Sequence, residues 1–124
     1  VPDTMAHFNA ETLIIPQCET VGALESIEEI AALDGVHGIF VGPFDLSISM
    51  EIPGDFSNPV FQAAIDRIIK ACHEAGKKCI FFTGTVDGIA AGFARGFDGM
   101  AYSLDAAIFI EALRERVEKA RQLS

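Results

Sequence analysis

Four short, nearly unbroken apolar runs punctuate the chain: LIIPQ at 13–17, GIFVG at 38–42, KCIFF at 78–82 and GMAYS at 99–103. A sheet wet on one face alternates polar and apolar residues, so runs without alternation point to parallel strands covered on both faces. Parallel neighbours need a crossover connection, and each run is followed by a stretch of helical periodicity. The pattern is a βα repeat in four copies.

The helices carry their own start and stop signals. Thr20 is placed to cap a helix through Ala32, with Val21, Leu24, Ile27 and Ile30 as its apolar positions and Asp34-Gly35 at its end. Ser57 or Asn58 precedes Pro59 at the head of the second, where Ile65, Ile68, Ile69 and Cys72 form one apolar stripe before Gly76. Thr85 or Asp87 begins a shorter third helix ending near Gly96. Asp105 is a candidate cap for the last, whose Ile108, Leu113 and Val117 alternate with Glu and Arg. A glycine also stands before the second and fourth strands alike, at Gly35 and Gly96, as short αβ loops require.

Four such units make half of an eight-stranded barrel, because a complete one takes about 250 residues. The chain has 124. The reading is therefore an α/β fold in which residues 1–124 form a partial TIM (β/α)8 barrel, with a small open doubly wound sheet as the competing arrangement. That alternative lacks its phosphate signatures: no GxGxxG follows a strand and no GxxxxGK[ST] occurs.

Composition narrows the partners. Half the residues are hydrophobic, enough for a packed core. Eighteen acidic against nine basic residues give a formal charge of -9, which argues against nucleic acid, whose phosphates need clustered Lys and Arg. No apolar run approaches the roughly 20 residues that cross a bilayer, and the opening VPDTMAHFNA has no signal-peptide pattern. A cytoplasmic protein is expected. Cys18, Cys72 and Cys79 have neither CxxC nor Cys/His spacing, so they read as reduced, buried thiols and not as a disulfide framework or a zinc site. The start at Val1 instead of Met suits a processed product, a fragment or a trimmed chain.

Two carboxylates stand where chemistry is done in such folds. Glu19 follows the first strand run and Asp45 the second, and in a parallel βα array the carboxyl ends of all strands share one face. Hard oxygen donors on neighbouring strands, with the remaining positions left to water and substrate, suit Mg²⁺ or Mn²⁺, with Co²⁺ also possible. The alternative is that both acids cap the turns or helices after them.

From Leu13 to Phe61 the chain resembles the HpcH/HpaI aldolase family, which includes 4-hydroxy-2-oxoheptanedioate and 2-dehydro-3-deoxyglucarate aldolases and is related to citrate lyase β subunits. The likeness rests on Gln17, Glu19 and Thr20 in Q-x-E-T, then Gly42, Pro43, Asp45, Leu46 and Ser47 in G-P-x-D-L-S, then Ile52 to Gly54 in I-P-G. It continues more loosely through the last helix. The resemblance implies the C-terminal half of the barrel, with Glu19 and Asp45 as ligands of a divalent metal that chelates pyruvate or its enolate. It further implies a class II pyruvate aldolase or lyase, in which a 2-oxo acid is cleaved to pyruvate and an aldehyde without a Schiff-base lysine.

By the same resemblance Gln17 faces the substrate, although it also reads as a buried amide satisfied by backbone. The turn at Pro43, Phe44 and Asp45 would hold the pyruvate carboxylate on the Phe44 and Asp45 amides, since Pro43 has none to give. Family members usually carry a small residue at Phe44, so its ring either narrows the pocket or turns away. Leu104 would touch the aldehyde partner, or else simply pack. His7, His37, His73, Arg67, Arg95 and Arg114 match neither the catalytic histidine nor the arginine of the family, which belong to the first half-barrel. The chain then either needs that half or a homo-oligomeric neighbour, on which residues 105–122 would dock, or is a non-catalytic assembly module with an idle metal site.

Overall fold

A computed structural model describes residues 2–123; Val1 and Ser124, and with them the reading of the Val1 start, lie outside the described residues. The elements run α1 (Pro2–Glu11), β1 (Gln17–Cys18), α2 (Val21–Glu25), α3 (Ile27–Ala32), β2 (Gly38–Val41), α4 (Pro43–Ser49), α5 (Pro59–Glu74), β3 (Lys78–Thr83), α6 (Val86–Arg95), β4 (Gly99–Tyr102) and α7 (Asp105–Arg121). The four strands form one sheet in sequence order, every pair parallel. A doubly wound sheet reverses direction at a switch point, whereas an unbroken sequential order is what an arc of a barrel gives.

One face of this arc is packed and the other is open. Ile39, Val41 and Cys79 point into the helix layer and are buried, while their neighbours Phe40, Ile80 and Phe82 stay half-exposed on the opposite face. Against the packed face lies the α5 stripe of Ile65, Ile68, Ile69 and Cys72, with Ile27, Leu46, Phe61 and Phe97 completing the core. Full burial of each such side chain contributes about 1.5–3 kcal/mol. Met100 of β4 fits against Gly92 of α6 so closely that a Cβ there would sit 2.4 Å from the Met100 sulfur.

Most of the capping chemistry appears as the sequence predicts. Thr20, Asn58 and Thr85 accept from the amides of Ala23, Val60 and Gly88, and Gly96 ends α6 at φ 112°, a left-handed conformation that favours glycine. Four expectations need correction. The first strand is not 13–17 but Gln17–Cys18, with one bridge at Ile14, because Pro16 supplies the sheet only a carbonyl, to Phe40 N–H. The helix expected from Thr20 to Ala32 is divided at Ser26, where ψ is 18°. Residues 43–45, expected as a turn, open a helix in which Pro43 takes the first position its ring favours. Asp105 does not cap α7: Leu104 is the N-cap, and the Asp105 carboxylate accepts from the adjacent Ala106 N–H, at 2.7 Å.

Two helices stand apart from the core. α1, which no signal in the sequence predicts, exposes Met5 and Phe8. α7 has no buried residue and leaves Ile108, Phe109, Ile110, Leu113 and Val117 open. Among the described residues no helix is long and apolar enough to cross a membrane.

Candidate active site at the carboxyl ends of β1 and β2

The site starts from a strand pair. β1 and β2 run side by side with Cys18 opposite Val41, and the ladder closes where Gly42 N–H donates to Cys18 carbonyl at 3.2 Å. Alternation then sorts the side chains: Cys18 turns into the core at 2% exposure, so Gln17 and Glu19 turn the other way. Burial pushes the Cys18 thiol up to about 11, keeping it protonated beside Glu19.

Gln17 and Glu19 meet above Gly42. A Cβ added to Gly42 would lie 2.6 Å from Gln17 Nε2, 3.3 Å from Glu19 Cβ and 3.4 Å from Glu19 Oε2. Only glycine leaves that space free. Immediately after it α4 begins; its first regular bond runs from Leu46 N–H to Gly42 carbonyl, so the amides of Phe44 and Asp45 lie ahead of the helical ladder. Pro43 is buried, and Phe44 and Asp45 are exposed.

Gln17, Gly42, Pro43, Phe44, Asp45 and Leu104 line one hollow of about 300 Å³, floored by the rings of Phe40 and Phe82. The structure thus brings together every expected site residue but one. Glu19 does not line the hollow and joins the group through its contact with Gly42. Leu104, expected either to touch a ligand or to pack, is 60% exposed and on the hollow's wall. The Phe44 ring, its Cε2 3.8 Å from the Cβ position of Gly54, borders both this hollow and a second of about 540 Å³ lined by Phe56, Phe61, Phe81 and Arg95.

Two hydroxyls fasten α4 to its surroundings. Ser47, fully buried, donates to Phe44 carbonyl at 2.6 Å and accepts from Gly54 N–H at 2.9 Å. Ser49 accepts from Val21 N–H at 2.9 Å. The sequence reading gave no role to either serine, nor to Phe40 and Phe82; the available signals were a hydroxyl one turn after Asp45 and the inward parity of the two rings.

Other ionisable groups are committed elsewhere. Arg67 pairs with Glu28 at 2.7 Å, holding that carboxyl at about 2, and Arg95 pairs with Asp66 at 2.7 Å. His37 Nδ1 accepts from Ile14 N–H, and His73 meets Asp98 at 3.2 Å. No described histidine or arginine lines the 300 Å³ hollow.

Known proteins resemble this chain in sequence and fold. The profile of the family described as HpcH/HpaI aldolase/citrate lyase matches residues 2–112. The chain is 38% identical over 121 residues to the hydroxypyruvate/pyruvate aldolase of Chromohalobacter salexigens, covering 96% of this chain and 47% of that one. It is 32% identical over 117 residues to the 2-keto-3-deoxy-L-rhamnonate aldolase of Klebsiella pneumoniae, covering 94% and 44%. An HpcH/HpaI aldolase/citrate lyase family protein from Burkholderia cenocepacia superposes with TM-score 0.86 at 29% identity, covering 96% of this chain and 46% of that one. The chain spans about half the length of the curated relatives it matches.

Proposed function

The chain belongs to the HpcH/HpaI aldolase/citrate lyase family, and from that membership we propose that it is the metal-holding half of an aldolase that cleaves a 2-oxo acid to pyruvate and an aldehyde. The observation that carries this reading is the convergence of Gln17 and Glu19 on Gly42, at the head of the helix that bears Asp45.

The residues fit a hard divalent ion. Glu19 and Asp45 offer carboxylate oxygens, Gly42 leaves room beside that of Glu19, and Cys18, the nearest soft donor in sequence, is turned into the core. Among the described residues no cluster of three or more His, Cys, Asp or Glu side chains gathers; two carboxylates would leave the remaining positions of an octahedral ion to water and substrate. Mg²⁺ or Mn²⁺ suits such a donor set best, with Co²⁺ a further option. When bound, the ion supplies Lewis-acid stabilisation of the negative charge that develops on the keto oxygen as the carbon–carbon bond breaks.

The chain's own groups then orient and shield. Gln17 Nε2 is a donor to the substrate's keto oxygen, and the amides of Phe44 and Asp45 are donors to its carboxylate. Phe40, Phe82 and Leu104 keep water from the reacting carbons, and Leu104 packs against the aldehyde portion. No lysine lines the hollow: Lys70, Lys78 and Lys119 pair with Glu74, Asp98 and Glu115, and Lys77 reaches Leu33 carbonyl. Neither His nor Arg stands on these walls to take the proton of the hydroxyl that becomes the aldehyde. Three unpaired cysteines fit the reducing cytoplasm as its compartment. The open face of α7 is where a second copy or the preceding half-barrel would dock.

A hollow lined by neither His nor Arg also fits a second reading, a non-catalytic assembly module that retains the metal motif. Retro-aldol cleavage and pyruvate methyl-proton exchange separate the two, assayed for this chain and for one extended at its N terminus to the length of its relatives. Metal-dependent exchange in the longer chain supports the aldolase; none in either, with both folded, supports the module.

A further inference from the structure

We infer that Ser49 is a positioning residue that fixes the spacing of Glu19 and Asp45 by clamping the strand exit that carries one to the helix that carries the other. The inference rests on the proposed reading of these two acids as the ligands of one ion.

The connection is specific. Val21 N–H donates to Ser49 Oγ at 2.9 Å, in a part-buried setting and across 28 residues of sequence. Val21 is the first residue of α2 and follows Glu19 by two; Ser49 lies one turn after Asp45 in α4. The Val21 amide is one of the orphan donors at a helix start, and Thr20, whose hydroxyl accepts from Ala23 N–H, does not satisfy it. Ser49 does. The strand ladder ends at Gly42 and Cys18, before either acid is reached. Beyond that point the Ser49 hydroxyl is the described hydrogen bond that joins the two acid-bearing segments.

Its neighbour shows the contrast. Ser47 ties α4 to Gly54, seven residues on, and so fastens the helix to its own following loop. Ser49 instead reaches backward to a different βα unit. Because ion affinity depends steeply on donor spacing, a bond that sets that spacing acts on affinity more than on folding.

The test replaces Ser49 with a matched pair, Ser49→Thr and Ser49→Val, of nearly equal shape, of which only threonine keeps the hydroxyl. Two quantities are read: hydrogen exchange of the Val21 amide without metal, and Mn²⁺ affinity from the electron paramagnetic resonance of free ion. Asp45→Asn is measured alongside, and Ser57→Ala serves as a distant control. The expected result is that Ser49→Val loses Val21 protection and binds Mn²⁺ about tenfold or more weakly, while Ser49→Thr keeps both near wild type. If Asp45→Asn weakens Mn²⁺ but Ser49→Val, with Val21 unprotected, binds it as the wild type does, the clamp is refuted alone. If Asp45→Asn leaves Mn²⁺ binding unchanged, the ligand assignment beneath it falls.

Discussion

Gly42 lies so close to Gln17 that a single added methyl would come within 2.6 Å of the Gln17 amide nitrogen. The nearest obstacle is the tip of a flexible side chain, so swinging Gln17 aside relieves most of the clash, and Glu19 Cβ, at 3.3 Å, has to give by only a few tenths of an ångström.

Gly42→Ala should therefore separate stability from binding. Melting should shift little, with a cost at the low end of the 1–3 kcal/mol typical of overpacking. Pyruvate or oxalate affinity, measured by calorimetry in the presence of Mn²⁺, should weaken about tenfold, or about 1.4 kcal/mol. Equal affinity would mean that Gln17 plays no part in holding the ligand.

Asp98 gathers three donors at the opposite end of the sheet, accepting from Cys79 N–H at 2.9 Å, Lys78 Nζ at 2.9 Å and His73 Nε2 at 3.2 Å. Burial raises its carboxyl, but these hydrogen bonds prevail and hold it below the ordinary 3.8. A depressed carboxyl adds stability in full above 3.8, which is lost as pH falls through the lower folded value. Asp98→Ala should cost about 1–3 kcal/mol in urea unfolding at pH 7, since a part-buried N–H loses its acceptor. Asp98→Asn should flatten the fall of Tm below pH 3.8; an unchanged acid limb would show that Asp98 does not carry it.

The three thiols are buried, and burial pushes Cys18 up to about 11. A hydrogen bond between Cys79 and Cys72, together with burial, raises Cys79 as well. Iodoacetamide at pH 8 should leave Cys18 and Cys79 unmodified in the folded chain and alkylate both after unfolding in guanidinium, read by mass spectrometry. Rapid native labelling of Cys18 would place it outside the core.

The sequence carried the repeat because parallel strands and amphipathic helices write different periods into the chain, and α5, β2, β3 and β4 lie where those periods put them. β1 was less legible, since Pro16 interrupts a run whose apolar pattern alone reads as a longer strand. α7 was legible as a helix but not as an unburied one, because helical periodicity marks an apolar face without specifying what packs against it. Within the site, Glu19 and Asp45 stood out through charge at strand exits. Ser49 did not, because its importance lies in a hydrogen bond across 28 residues, and no local pattern encodes that distance. The approach of the Phe44 ring to Gly54, a left-handed loop residue at φ 73°, is likewise a contact that only the fold reveals.

Mn²⁺ titration of the wild type, Glu19→Gln and Asp45→Asn decides whether two carboxylates at adjacent strand ends hold one ion. The proposal predicts saturable binding by the wild type at one site and, in each single variant, a loss of tenfold or more, about 1.4 kcal/mol or above, with melting temperatures otherwise preserved. Binding that is equally tight in all three proteins would refute it.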